Sequence, residues 1–254
     1  MTRASTEYTT FSEQEEAIAF LRDCAKHVIP GNNNGNFAEV NDPQTQRLAN
    51  AVENRVCNAV GAFMQFNGVA EELATACKML KRYPWHGTEI SKSSHLEMTW
   101  FLVQNLCYHF KEKTKLYYNN QKLAAQILGL STPSWLKEEL RLIDSEMGKA
   151  IRDRGNTVHG WNTRESSIYT FSMVELLVES GESSRDWDLK SHYSDAKFFL
   201  GLKAQKYRDQ ANAIMWRCFR EHSPTPVTIV RRFNELADAV LNENALLESK
   251  ETGR

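Results

Sequence analysis

Residues 132–161 read TPSWLKEELRLIDSEMGKAIRDRGNTVHGW, and this stretch decides the fold class. Its apolar side chains recur at spacings of four, three, four and four residues, which is the period of an amphipathic α-helix. They are Leu136, Leu140, Ile143, Met147 and Ile151. The pattern predicts a helix that buries one face in a core and then leads the chain into the polar residues 152–161.

Helical spacing continues on both sides of this stretch, and no segment gives a confident strand pattern. Further helices are predicted at about 12–28, 43–83, 91–118, 171–178, 193–222 and 227–247. The sequence therefore predicts an all-α protein built as a helical bundle. We divide it into an N-terminal helix with an Asn-rich loop at 1–42, a helical core at 43–222 and a C-terminal helical annex at 223–254.

Several details of these helices are predicted from single residues. Gly129 is expected to end a short helix, and Gly155 to end the helix that follows, because glycine is the usual exit from a helix. A kink or break is expected near 66–68, since an uninterrupted helix over 43–83 is long. The helix from residue 193 is expected to bury its large apolar side chains. They include Phe198, Phe199 and Leu202.

Composition limits the possible partners. The chain has 254 residues, a net charge of −1 and a charged fraction of 25%, so no global positive field attracts nucleic acid. A binding site for RNA or a nucleotide must then be a local patch. The five cysteines are far apart and odd in number, which argues against a disulfide framework and suits a reducing compartment. Since no 18-residue apolar run occurs, we expect a cytoplasmic protein without membrane association.

The polar end of the quoted stretch holds the candidate chemistry: Arg152, Arg154, Asn156 and His159. An imidazole accepts or donates a proton near pH 7, and a guanidinium is a permanent cation suited to phosphate. Together they can cleave RNA without a metal, because the ribose 2′-hydroxyl serves as the internal nucleophile.

Helical geometry limits which arginine acts with His159. Residues i and i+7 lie about 20° apart around a helix, whereas i and i+5 lie about 140° apart. Arg152, Asn156 and His159 share one face if the helix is continuous. Arg154 reaches His159 if Gly155 breaks the helix or if its long side chain wraps round, so the sequence leaves both arginines as candidates.

A basic segment at 111–115 is a second candidate for binding RNA. It consists of Lys111, Lys113 and Lys115, near the predicted C-terminal end of the helix at 91–118. Cations there suit the negative pole of the helix dipole, which explains them without a ligand. A phosphate-facing patch is the alternative, and both interpretations remain open.

Patterns for metals and cofactors are missing from the sequence. Glu-x-x-His pairs, which helical metal sites use, do not occur, and no Cys-x-x-Cys pair is present. The chain also lacks Walker, dinucleotide-binding and Gly-x-Ser-x-Gly motifs. We therefore expect neither a metal nor a cofactor.

The segment Arg154-Gly-Asn-Thr-Val-His159-Gly160, or its longer form from Arg152, resembles the Arg-x(4–6)-His motif of the HEPN superfamily. The helix ending at 108–113 is also similar to a core helix of that superfamily, and the resemblance spans about 43–222. It implies a bundle of about four core helices with additional terminal helices.

The resemblance also implies a metal-independent endoribonuclease that acts as a symmetric homodimer, often beside an antitoxin or another defence partner. Arg154 or Arg152 would be catalytic with His159, and Asn156 would be a polar helper. The residue after the motif arginine is usually polar in that superfamily, whereas here Gly155 follows Arg154. Inactive members serve as binding scaffolds, so a non-catalytic module that binds protein or nucleotide is the alternative.

Overall fold

A computed structural model describes residues 43–82, 90–159, 165–181 and 186–252. All regular structure in these ranges is helical, and no strand occurs in them, so the predicted all-α class is confirmed. The described elements are α1 (Pro43–Lys81), α2 (Lys92–Ile127), α3 (Leu136–Val158), α4 (Ser166–Glu179), α5 (Asp186–Arg220) and α6 (Pro226–Thr252).

Two further predictions concern the N-terminal residues and association with a membrane. The helix predicted at 12–28 and the Asn-rich loop that follows lie outside the described residues. None of the helices in the described ranges combines the length and the apolar character needed to cross a bilayer.

The chain divides into two compact units. The first contains the beginning of α1, the end of α2 and all of α6, and its core forms where these three segments meet. The buried side chains of this core are Val56, Ala59, Val60, Ala124, Leu128, Ile229, Val230 and Phe233. Gly129 follows α2 with a φ of 67°, and Leu130 donates its N–H to the Ala125 carbonyl at 2.9 Å. This is a Schellman-type ending, which confirms that a helix ends at Gly129. The separate short helix predicted there does not occur, because α2 continues without a break from Lys92 to Ile127.

The second unit contains residues 65–116 and 134–218, and it includes all of α3 and α4 and the part of α5 up to Cys218. Ile143 and Met147 of the predicted α3 stripe are fully buried in it. Beside them, the Glu139 carboxylate is almost fully buried and accepts two hydrogen bonds from Arg217, at 3.0 and 2.9 Å. Such a fork-shaped pair compensates a carboxylate that would otherwise be costly to bury.

A break at 66–68 and the burial of three large α5 side chains were predicted, and neither is found. Helix α1 runs without a break through 66–68, and a Cβ added at Gly68 would meet no atom within 4 Å, so no close approach requires that glycine. Helix α5 exposes Phe198, Phe199 and Leu202, at 61%, 54% and 54%. It packs instead through a line of mostly small side chains. The line is Ala196, Leu200, Ala204, Tyr207 and Ala211.

Candidate functional site

Helix α3 does not end at Gly155, so the prediction of a break there is wrong. The helix continues to Val158, and the His159 N–H donates to the Gly155 carbonyl at 3.0 Å. The Thr157 hydroxyl donates to the Asp153 carbonyl at 2.9 Å, which adds a bond across the same turn. Glycine costs roughly 1 kcal/mol relative to alanine inside a helix, and these bonds help to offset that cost.

Continuity of α3 fixes which candidate residues lie on one face. Arg152, Asn156 and His159 follow one another at i, i+4 and i+7, so they lie along the same side of the helix. Arg152 and His159 are exposed, and Asn156 is half-buried. Lys149, one turn before Arg152, is exposed on the same side. We call these four residues the α3 polar face.

Arg154 lies on a different side of α3 and contacts α2. Its Nε donates to Asn105 Oδ1 at 3.0 Å, and its guanidinium carbon lies 4.3 Å from the centre of the Tyr108 ring. A cation held over an aromatic face is attracted by the ring quadrupole. The structure therefore gives Arg154 an anchoring role between α3 and α2 and separates it from His159.

The three lysines predicted to bind RNA all have protein partners. Lys111 pairs with Asp144 at 2.6 Å, Lys113 donates to Gln65 Oε1 at 2.7 Å, and Lys115 pairs with Glu112 at 2.7 Å. An RNA phosphate would have to compete with these contacts. The structure thus supplies local partners for these lysines. The dipole interpretation is wrong, because α2 continues to Ile127 and its last turn contains no basic residue.

A second polar cluster begins at Glu165, directly before α4. The Glu165 side chain is only 9% exposed and pairs with Lys203 of α5, while Lys149 Nζ lies 3.9 Å from its Oε2 atom. Burial raises the pKa of the nearby Tyr207 phenol to about 12, and Cys107, Glu165 and Asp153 contribute to that rise in this order. The cluster connects the α3 polar face, through Lys149, with the beginning of α4 and the middle of α5.

Beyond Glu165, an open groove lies between the first turns of α4 and the first half of α5. Its volume is about 400 Å³, which falls within the range of small-molecule sites. We call it the α4–α5 groove. Its walls include Glu165, Ser167, Thr170, His192, Asp195, Phe199 and Lys203. The groove thus combines a phenyl ring and an imidazole with acidic, basic and hydroxyl groups.

The arrangement suits acid–base chemistry on a phosphodiester. The α3 polar face offers an exposed imidazole for proton transfer, and two cations, Arg152 and Lys149, to offset negative charge. Its members are held on a helix, so their spacing is fixed by the backbone.

Sequence reasoning found His159 and its arginines but missed Glu165, Lys203 and Phe199. Residues 149, 165 and 203 come together through packing of α3, α4 and α5, and no local spacing in the sequence predicts that contact. A signal did exist for Phe199. Phe199 directly follows Phe198, and the apolar residues of this segment do not form a regular stripe at helical spacing. A helix that buries one face usually has such a stripe.

Comparisons with known proteins do not identify a family. No family model matches the chain, and neither the curated proteins nor the solved structures include a match. The likeness to the HEPN superfamily depends on the residues quoted above, so the chemistry of the site has to follow from its own geometry.

Proposed function

We propose that this protein is a metal-independent endoribonuclease of the HEPN type, which cleaves single-stranded RNA by attack of the 2′-hydroxyl. His159 transfers the proton, Arg152 offsets charge on the phosphoryl oxygens, and Asn156 donates or accepts a hydrogen bond beside them. A homodimer is part of the proposal, as is a setting in defence or with an antitoxin partner.

The observation that carries this proposal is the continuity of α3 through Gly155. It puts Arg152 and His159 two turns apart on one exposed face, about 10 Å along the helix axis. That separation leaves room for one phosphodiester between a guanidinium and an imidazole. Lys149 is a second cation, after Arg152, and would contact the phosphate that precedes the cleaved one.

The proposed reaction balances without a metal ion. The 2′-oxygen forms a bond to phosphorus as its proton passes to a His159 imidazole, and the bond from phosphorus to the 5′-oxygen breaks. An imidazolium then protonates the departing 5′-oxygen, and a second copy of the chain would provide a second imidazole for this step. The products are a 2′,3′-cyclic phosphate and a 5′-hydroxyl end.

One observation favours the alternative, a non-catalytic helical scaffold that binds protein or nucleotide. Arg154 begins the shorter form of the motif, yet it is engaged with Asn105 and Tyr108 rather than directed toward His159. If Arg154 were the arginine of the motif, the motif would stabilise the fold and have no catalytic role. The two functions predict opposite effects of changing His159.

The test is incubation of a labelled, unstructured RNA with the purified protein in excess EDTA. Wild type is expected to cleave the RNA to 2′,3′-cyclic phosphate ends, and His159→Ala is expected to lower the rate at least 100-fold, since general acid–base catalysis contributes about 10²–10⁴-fold. RNA with 2′-deoxyribose at the cleaved position is expected to remain intact.

A matched control separates loss of chemistry from loss of structure. His109→Ala removes another exposed histidine, which is on α2 and is not part of the α3 polar face, and is expected to keep wild-type activity. If several RNA sequences stay intact with wild type, or if His159→Ala cleaves as fast as His109→Ala, the nuclease proposal fails. The scaffold would then be the better account of the motif.

A further inference from the structure

The α4–α5 groove presents an exposed aromatic ring next to polar groups. Phe199 is 54% exposed although phenylalanine is normally buried, and its ring makes an edge contact with Phe198 at 5.7 Å between centroids. Phe198 itself does not line the groove. A ring that stands free on one side is a platform on which a flat aromatic ligand stacks, as unpaired nucleobases do on binding proteins.

The groups around Phe199 fit the edge of a base better than they fit a phosphate. Asp195 lines the groove and repels an anion, while the Glu165 carboxylate is paired with Lys203. A carboxylate accepts hydrogen bonds from N–H groups only, and guanine offers two adjacent N–H donors on its Watson–Crick edge. Uracil offers one N–H between two carbonyl oxygens, which face a carboxylate unfavourably.

Two further groups complete the hydrogen-bonding set. Lys203 uses its ammonium to pair with Glu165 but keeps further N–H donors, and lysine is a known partner of guanine O6 and N7. The Ser167 hydroxyl oxygen is buried and has no hydrogen-bond partner among the described residues. Buried polar atoms are normally satisfied, so this hydroxyl is a candidate partner for a ligand that enters the groove.

The groove is joined to the α3 polar face at one point, the approach of Lys149 to Glu165 at 3.9 Å. From Lys149 to His159 the helix rises about 15 Å, a distance that a few nucleotides of single-stranded RNA cover. A strand lying along α3 with its scissile phosphate near His159 would therefore bring a neighbouring base to the groove.

We infer that the α4–α5 groove binds one unstacked nucleobase, with guanine preferred over uracil, through stacking on Phe199 and hydrogen bonds to Asp195 and Lys203. The inference rests on the proposed function for its substrate, RNA. It adds a subsite that selects the base a few nucleotides from the cleaved bond. Binding in this groove requires no catalysis, so it can be measured separately.

The experiment is an NMR titration of the full chain with guanosine 5′-monophosphate and uridine 5′-monophosphate. The guanine nucleotide is expected to bind at least fivefold more tightly. Phe199→Ala is expected to weaken its binding about tenfold or more, as loss of a stacking platform does, while Phe198→Ala stays within twofold of wild type. Asp195→Asn is expected to reduce the preference for guanine without removing stacking.

The outcomes separate this inference from the nuclease proposal. His159→Ala is expected to bind the guanine nucleotide like wild type, because His159 does not line the groove. Base binding that depends on Phe199 in a protein that never cleaves RNA would support the subsite and refute the nuclease. If neither nucleotide binds, or if Phe199→Ala and Phe198→Ala behave alike, the subsite is refuted even where RNA is cleaved.

Discussion

At the scale of single residues, the two arginines of the motif have different surroundings. Arg152 is exposed on the α3 polar face, whereas Arg154 donates to Asn105 and covers the Tyr108 ring. Sequence spacing kept both as candidates, because the direction of a side chain depends on whether the helix continues. The partner that holds Arg154 lies 49 residues away in the chain, beyond the reach of any local pattern.

The stability of the two single variants should differ accordingly. Arg154→Ala loses a hydrogen bond and a cation–π contact, and is expected to lower the free energy of unfolding by about 1–2 kcal/mol. Arg152→Ala removes an exposed side chain and is expected to stay within about 0.5 kcal/mol of wild type. Urea unfolding followed by circular dichroism measures both. A larger loss for Arg152→Ala would contradict the assigned contacts.

At the scale of elements, α3 shows what local sequence predicts well. The spacing of its apolar residues gave the correct buried face, with Ile143 and Met147 fully enclosed, because helical period is a local property. Its end was mispredicted, since glycine propensity at 155 was outweighed by the hydrogen bonds of Thr157 and His159. Helix ends depend on such individual bonds, which composition does not reveal.

Glycine substitutions test the continuity of α3 directly. Gly155 is helical and a Cβ there would meet no atom within 4 Å, so Gly155→Ala is expected to stabilise the protein by about 0.5–1 kcal/mol. Gly129→Ala is the matched control. Its φ of 67° disfavours any side chain, so the same change there is expected to destabilise by about 1 kcal/mol. Destabilisation by Gly155→Ala, in thermal or urea unfolding, would show that the helix is broken at 155.

At the scale of the whole molecule, the outward side of α4 supports the proposed homodimer. Tyr169, Met173, Leu176 and Leu177 are 54%, 41%, 57% and 40% exposed, at spacings that put them on one side of the helix. The Glu175 carboxylate lies on another side and accepts the N–H groups of Lys92 and Ser93, each at 3.1 Å. Four exposed apolar side chains on one helix face are typical of an interface.

Charge reversal of this face should change the oligomeric state. If a second copy covers α4, Leu176→Glu is expected to shift the protein from dimer to monomer, since burying an unpaired carboxylate is costly. Lys190→Glu, which changes an exposed residue on α5, serves as the control and should leave the dimer intact. Sedimentation equilibrium distinguishes the two states. A wild-type protein that is monomeric at high micromolar concentration would remove the homodimer from the proposal.

The sequence did not predict which residues from different helices lie next to each other. Sequence patterns identified the all-α class and the candidate stretch, whereas the α4–α5 groove depends on Glu165 meeting Lys149 and Lys203. Phe199 was assigned to the core because a large apolar residue on a helix usually is buried. Which apolar side chains remain outside depends on how closely small residues such as Ala196 and Ala204 let α5 approach its neighbours.

The most direct test of the central claim, that the α3 polar face performs RNA cleavage, compares Arg152→Ala with Arg154→Ala. Single-turnover cleavage of a labelled RNA is measured in EDTA, under conditions where both variants are folded. Arg152→Ala is expected to be at least 100-fold slower than wild type, because it removes the cation nearest the phosphoryl oxygens, and Arg154→Ala to lose less than tenfold. Loss of cleavage in Arg154→Ala with full activity in Arg152→Ala would contradict the account.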